Sequence, residues 1–481
     1  MSGRQTLHSG KEFSTFDLAV GRAIALPIDF DVGHCLQQRL DDLDSTGFRD
    51  EPDEDVTPFP SLTFATPVAA PAPSTSSLPA PPLTSLSSKE RSKVKSRLRR
   101  DKARTEARLT STTPLLKAVN LKRIDEAKTS ALELDLDASA LPHSKPAWIG
   151  SRSVAEDPKF SPPHEPHDLD TGLSGLLYTQ AEVDALSGTE NFMYINWLGR
   201  LTIPILDRHQ HIIALLGGTP RDTVGWQTVT DGASQLLLDC VPRIRLTEER
   251  MHHRRAQEPF PAIARGVSHG GGQTELGELR NNIANTQLTD ELLVHEYFCR
   301  LAGFANILFA MWAPLLFAFY QAQIALLDEW KPSIRWNFAG SVFAACTFNF
   351  GPRVITAAQL DFANLAWGWC AITALGKFDP DIGGHLILWD LRLVVRFPPG
   401  STILLPSAII RHSNVPIRAH EHRCSFTQYT AGGLFRWVRN GFKTDEAFHL
   451  TASVAEKAER EAESKGRWER GMKMFSVIDE L

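Results

Sequence analysis

Asp361, His412, Arg423 and Ser425 fall in one stretch of this 481-residue sequence, with types and spacing that could do chemistry together. A carboxylate and an imidazole can share a divalent metal; open iron sites add a second imidazole and leave positions for a co-substrate and oxygen. Arg423 follows His412 by eleven residues, and a guanidinium grips a carboxylate with two parallel hydrogen bonds. Ser425, two positions further on, projects from the same face of a strand and can donate a third. This is the layout needed to hold 2-oxoglutarate by its distal carboxylate. Each residue alone has a plainer use: Asp361 as a turn cap, His412 as a satisfied histidine at a strand end, Arg423 as an ion-pair partner. Their order inside one block is what points to a site.

That block must supply strands. From Trp336 to Trp437 the runs HLILWDLRLVVRF, STILLPSAII and RCSFTQYT are short, β-branched and aromatic, and Pro-Pro-Gly at 398–400 and Ser-Asn at 413–414 punctuate them. Short strands with tight turns predict a sandwich or barrel, and a jelly roll fits. Upstream, Leu201 to Leu206 and His211 to Leu216 read as a hairpin turning at Asp207 to Gln210. Residues 221–250 read as helical and end in a charged stretch containing His252 and His253. Thr179-Gln-Ala-Glu182 reads as a helix cap, and Gly270-Gly271-Gly272 as a loop where backbone approaches something closely. Leu301 to Leu327 carries no charge and is long enough to span a bilayer, but Asn306, Pro314, Gln321 and Gln323 interrupt it, so a buried helix or helix pair is expected and no membrane partner.

The segments DFANLAWGWCAITALGKFDPDIGGHLILWDLRLVVRFPPGSTILLPSAIIRHSN and RCSFTQYTAGGLFRWVRNGF resemble the Fe(II)/2-oxoglutarate-dependent dioxygenase superfamily, more specifically its TET/JBP-like family expanded in mushroom-forming fungi and associated there with transposable elements. The resemblance covers residues 336–445 and extends upstream through HGGGQTELGELRNN towards the hairpin. It implies an α+β chain with a double-stranded β-helix (jelly roll) core, surrounding helices and a disordered N-terminal arm. It implies Fe(II) and 2-oxoglutarate as cofactors, with Asp361 and His412 on the metal and Arg423 and Ser425 on 2-oxoglutarate. It further implies oxidation of a methylated base in DNA or RNA, coupled to oxidative decarboxylation of 2-oxoglutarate, with the base flipped into the pocket. The family pattern is His-x-Asp, and here the sequence departs from it: Gln359 stands where the first histidine belongs. An amide oxygen is a weak, neutral ligand beside imidazole nitrogen for Fe(II). The alternative reading is therefore a catalytically inactive scaffold that binds nucleic acid or protein.

Other candidates carry bland expectations. His385 reads as an exposed strand residue rather than a substitute metal ligand, His420 and His422 as turn residues, Cys370 and Cys424 as core, Asp379 and Asp381 as turn residues, and Trp367, Trp369 and Trp389 as packing rather than pocket walls. The domain reading is a largely disordered arm over 1–150, a helical and hairpin support over 165–335, the core at 336–445, and a charged, solvated C-terminal helix over 446–481. Within the arm, the Pro/Ser/Thr-rich run between 48 and 88 cannot bury enough apolar surface to fold. Lys89 to Arg108 holds ten Lys/Arg against three Asp/Glu, a nuclear-localisation or phosphate-contacting tract or a solvated linker. The net charge of −5 excludes a globally basic nucleic-acid coat. Six cysteines without a CxxC pair exclude a disulfide scaffold or zinc ribbon, and the amino terminus lacks a secretory h-region, so a nuclear or cytoplasmic location is expected, not a secreted one.

Overall fold

Short runs of aliphatic, β-branched and aromatic residues form two sheets in the computed structural model, which describes residues 118–155, 192–252 and 259–481. All of these belong to one compact unit. The strands are β1 (Leu132–Glu133), β2 (Met193–Ile195), β3 (Ile203–Leu206), β4 (Ile212–Gly218), β5 (Ala262–Ser268), β6 (Gly277–Glu278), β7 (Ala345–Asn349), β8 (Cys370–Lys377), β9 (Leu386–Leu388), β10 (Leu393–Val395), β11 (Thr402–Leu405), β12 (His412–Asn414) and β13 (His422–Tyr429). A nine-stranded sheet runs β1-β3-β4-β11-β8-β13-β7-β5-β6, and a four-stranded sheet runs β12-β9-β10-β2. From β7 onward the chain alternates between them. β7, β8, β11 and β13 lie in the larger sheet and β9, β10 and β12 in the smaller, while Gln359 bridges to His412 and so continues the smaller sheet past β12. The fold is thus mixed α and β, with large sheets and several helices.

The hairpin expected near 201–216 forms as β3 and β4, with an antiparallel register pairing Ile205 with Ala214. It does more than support the core: β4 pairs with β11, and β5 pairs with β7, so upstream strands extend the core sheet on both sides. Three helices, α1 (Thr223–Cys240), α2 (Glu296–Trp312) and α3 (Pro314–Trp330), cover it. Phe298 of α2 meets Phe348 and Phe426 edge-on at centroid distances of 5.0 and 5.3 Å, and each such buried aromatic contributes roughly 2 kcal/mol through its area. Trp226 of α1 stacks edge-on against Phe304 and donates its indole N–H to Gly400 O at 2.8 Å, fixing the turn into β11. The uncharged stretch 301–327 is split between α2 and α3 because Pro314 cannot donate an N–H within a continuous helix. No single described helix is long and apolar enough to cross a membrane.

Two boundaries need correction. Residues 118–150, assigned to the disordered arm, are ordered. The helix Ala118–Lys128 buries Ile124, β1 pairs in parallel with β3, and Trp148 is buried under the Arg467 guanidinium, 4.2 Å from its ring. A few widely spaced apolar anchors, rather than periodic runs, carry this segment, so composition hid it. The carboxyl terminus is likewise not one solvated helix. Helices Asp445–Thr451, Val454–Ser464 and Arg467–Met472 follow one another, and then Phe475 and Ile478 are buried while Ser476 O accepts the Ile212 N–H. Arg460 is buried, donating to Asn440 Oδ1 at 2.8 Å, and Arg439 pairs with Glu463. The Pro/Ser/Thr-rich run, the basic tract 89–108, the cap at 179–182 and His253 lie outside the described residues.

The glycine-rich loop at 270–272 has positive φ throughout and follows a buried histidine, His269, packed on Trp437 at 4.6 Å. Burial, with the Arg436 charge adding to it, pushes His269 down to about 4; the nearby Asp445 opposes the shift. Its unfolded-state value near 6.5 is higher, so between those limits the unfolded chain binds the extra proton and stability falls as the pH falls. The wild type should lose on the order of 3 kcal/mol from this group between pH 7 and pH 4. Urea midpoints across that range should fall less steeply for His269→Gln; an unchanged slope would show that His269 does not report on acid unfolding.

Candidate functional site

His412 opens β12 with its side chain buried, and its Nδ1 lies 3.0 Å from the Ile410 carbonyl oxygen. A carbonyl can only accept, so Nδ1 carries a proton, and Nε2 is the ring nitrogen left to face the site. Nε2 faces the Asp361 carboxylate, with Nε2 and Oδ2 3.8 Å apart, outside hydrogen-bond range. Asp361 is buried as well, and its backbone N–H donates to Ser407 O at 2.9 Å. The sequence-predicted pair of carboxylate and imidazole is therefore brought together. Gln359 sits directly opposite His412: each backbone N–H donates to the other's carbonyl at 3.0 Å.

Arg423 lies on β13, opposite Gly376 of β8, and is 3% exposed. Its Nη1 donates to Val354 O at 3.1 Å, and its Nε is buried without an acceptor. No acidic side chain among the described residues pairs with it. Burial alone pushes the guanidinium down to about 10. Ser425, two residues on, is buried and accepts from Asn349 Nδ2 at 2.9 Å, which leaves its hydroxyl proton to be donated elsewhere.

Asn414 is a residue that sequence reasoning missed. Its Oδ1 accepts from Thr356 N and Thr356 Oγ1 at 2.9 and 2.7 Å, and its Nδ2 donates to Val354 O at 3.2 Å. The Val354 carbonyl thus receives both Asn414 and Arg423, linking the strand of His412 to the guanidinium. The available signal was its place two residues after His412, on the same strand face. Asp390 was also missed. It accepts the backbone N–H of Arg411 at 2.5 Å, just before His412, and burial pushes its carboxyl up.

The other candidates separate cleanly. His385, expected to be exposed, is fully buried, with its ring 5.7 Å from that of Tyr194. It does not join the metal-ligand candidates: the described residues contain no group of three or more His, Cys, Asp and Glu that could hold a metal. His420 is exposed and His422 half-buried. Cys370 and Cys424 are core residues, each pushed up to about 12 by burial, which keeps them protonated and unreactive. Asp379 and Asp381 lie in a turn, paired with Arg418 and Arg396. Trp367 and Trp369 are buried core residues, and the half-buried Trp389 donates to Ser413 Oγ at 3.0 Å.

No protein-family model matches this chain, and no curated protein does. Among solved structures it is similar to one described as NgTET1 in complex with 5mC DNA, at 12% identity and a TM-score of 0.35 over 50% of this chain and 83% of that one. It is also similar to an oxidoreductase of the 2OG-Fe(II) oxygenase family from Burkholderia pseudomallei, at 17% identity and a TM-score of 0.24 over 51% of this chain and 88% of that one. TM-scores this low assign neither fold nor activity.

Proposed function

We propose that residues 336–445 are a double-stranded β-helix of the Fe(II)/2-oxoglutarate dioxygenase type, with a degenerate metal site, acting on a methylated base in nucleic acid. The observation that carries this reading is the buried Arg423 guanidinium with no acidic partner among the described residues. A buried charge is ordinarily paired, because desolvating it alone is expensive. A site that keeps one unpaired is a site for an anion, and the planar fork suits a carboxylate. The alternation of strands between two sheets supports the jelly-roll core.

Asp361 and His412 would hold the metal, a carboxylate and a neutral imidazole whose tautomer the Ile410 carbonyl fixes. When bound, iron would supply the oxygen activation that couples decarboxylation of the 2-oxo acid to hydroxylation. Arg423 and Ser425 would bind the distal carboxylate, and Asn414 would keep the Val354 segment in place beside Arg423. The substrate class follows from the resemblance of the segments around Asp361 and His412. The basic tract 89–108 would add phosphate contacts and, as a targeting signal, a nuclear location.

A second reading keeps the anion pocket but not the chemistry. It is favoured by the donor set itself, which offers one imidazole where two are usual. Anaerobic addition of Fe(II) and 2-oxoglutarate separates the two. The oxygenase reading expects a metal-to-2-oxoglutarate charge-transfer band in the wild type. A band only in Gln359→His would leave the scaffold reading, and no band in either would remove the site assignment.

A further inference from the structure

Gln359 holds a buried amide oxygen, Oε1, with no hydrogen-bond partner. Leaving such a group unbonded costs about 1–3 kcal/mol, and an orphan of this kind in a folded protein calls for an explanation such as an ion or water. Its surroundings point to the ion. Gln359 and His412 exchange both backbone hydrogen bonds at 3.0 Å. In an antiparallel hydrogen-bonded pair the two side chains leave the same face, side by side. Asp361 is two residues further along the Gln359 segment, and its Oδ2 lies 3.8 Å from His412 Nε2. Nδ1 is engaged at Ile410 O, so Nε2 is the ring nitrogen left facing the carboxylate. An amide oxygen, a carboxylate oxygen and a ring nitrogen thus belong to one face of this paired segment. A cation satisfies all three at once.

Resting on the metal-binding reading above, we infer that Gln359 Oε1 is the third protein ligand of a divalent-cation site formed with Asp361 and His412, and that this two-oxygen, one-nitrogen set raises the preference for Mn(II) relative to Fe(II). A glutamine carries Oε1 the same number of bonds from Cβ as a histidine carries Nε2, so the substitution changes the donor rather than the reach. Carboxylate and carbonyl oxygens suit Mg(II), Ca(II) and Mn(II), whereas imidazole suits Fe(II) and Zn(II). Absolute affinity still rises from Mn(II) to Fe(II) in any such set, so the signature is the ratio between them, not their order.

The test uses the full chain under anaerobic conditions. Mn(II) uptake is followed by loss of the free-ion electron paramagnetic resonance signal, and Fe(II) affinity by competition. The wild type should take up Mn(II), and Gln359→Leu should weaken that uptake about tenfold or more. Gln359→Glu keeps an oxygen and adds a charge, so it should bind Mn(II) more tightly than the wild type. Gln359→His should raise the Fe(II)-to-Mn(II) affinity ratio by about tenfold or more. Should Gln359→Leu fail to fold, the Glu and His variants decide, because both keep a polar donor at the position. Unchanged Mn(II) affinity in Gln359→Glu, or an unchanged ratio in Gln359→His, overturns the inference. Asp361→Asn and His412→Ala read the underlying site separately. If they abolish uptake while Gln359→Leu binds normally, only the role of Gln359 falls. If uptake survives them, the cation sits elsewhere and both readings fall.

Discussion

Replacing Arg423 with methionine is expected to abolish 2-oxoglutarate binding and, without ligand, to leave the protein at least as stable as the wild type. The two halves of this result have the same cause. Arg423 is almost fully buried with its charge uncompensated, and the downward push to about 10 corresponds to on the order of 3 kcal/mol working against the folded state. Methionine removes that burden and fills much of the same space with a flexible apolar chain. The change also removes the bond to Val354 O, worth about 1 kcal/mol, but that carbonyl still accepts Asn414 Nδ2. Replacement of buried ionic groups by apolar ones is often neutral or stabilising. Thermal melts with and without 2-oxoglutarate make the comparison. In the wild type, ligand at about a hundred times its Kd should add about 2.7 kcal/mol; in Arg423→Met it should add nothing. A variant that is markedly less stable without ligand would mean that the guanidinium is a structural strut, and the anion site would be lost with it.

The parts of this site that the sequence made legible are those set by local periodicity. Arg423 and Ser425 share a face because strand side chains alternate, and the turn signals at 398–400 place β11 and β12 in the right order, delivering His412. The approach of Asp361 to His412 was legible only through resemblance, since it depends on a bridge between Gln359 and His412 that no local pattern encodes. Asn414 and Asp390 were hidden for a related reason: their partners, Thr356, Val354 and Arg411, are distant in sequence or bonded through backbone atoms, which carry no residue identity. His385 misled because a histidine beside two glycines resembles a surface turn, whereas tertiary packing decided its burial. At the ends of the chain, Trp148 and Ile478 anchor segments whose average composition is polar. Composition measures the average, and a fold can be held by a few residues.

Gly376→Ala should produce the opposite stability change to Arg423→Met with the same loss of binding. Gly376 has φ +130°, a conformation that a side chain disfavours, and it faces Arg423 across the β8–β13 pair. A Cβ there would lie 2.2 Å from His422 O and 2.9 Å from the Arg423 Cα, both backbone atoms that cannot rotate away. The strand carrying Arg423 would have to separate from β8 in the middle of the nine-stranded sheet. Backbone strain and lost ladder bonds together should cost roughly 3 kcal/mol or more, read as a drop in the urea midpoint. The neighbouring exposed Lys377→Ala should stay within about 0.5 kcal/mol of the wild type. Even in the folded fraction, a displacement of the guanidinium by about 1 Å is enough to weaken ligand binding severely. If Gly376→Ala were as stable as the wild type, the close approach of β13 to β8 would not be what holds Arg423 in place. If it were unstable but bound 2-oxoglutarate normally, the anion site would not depend on the backbone of β13. The two substitutions together separate the charged group from the strand that delivers it: one removes the guanidinium and relieves the fold, the other keeps the guanidinium and strains it.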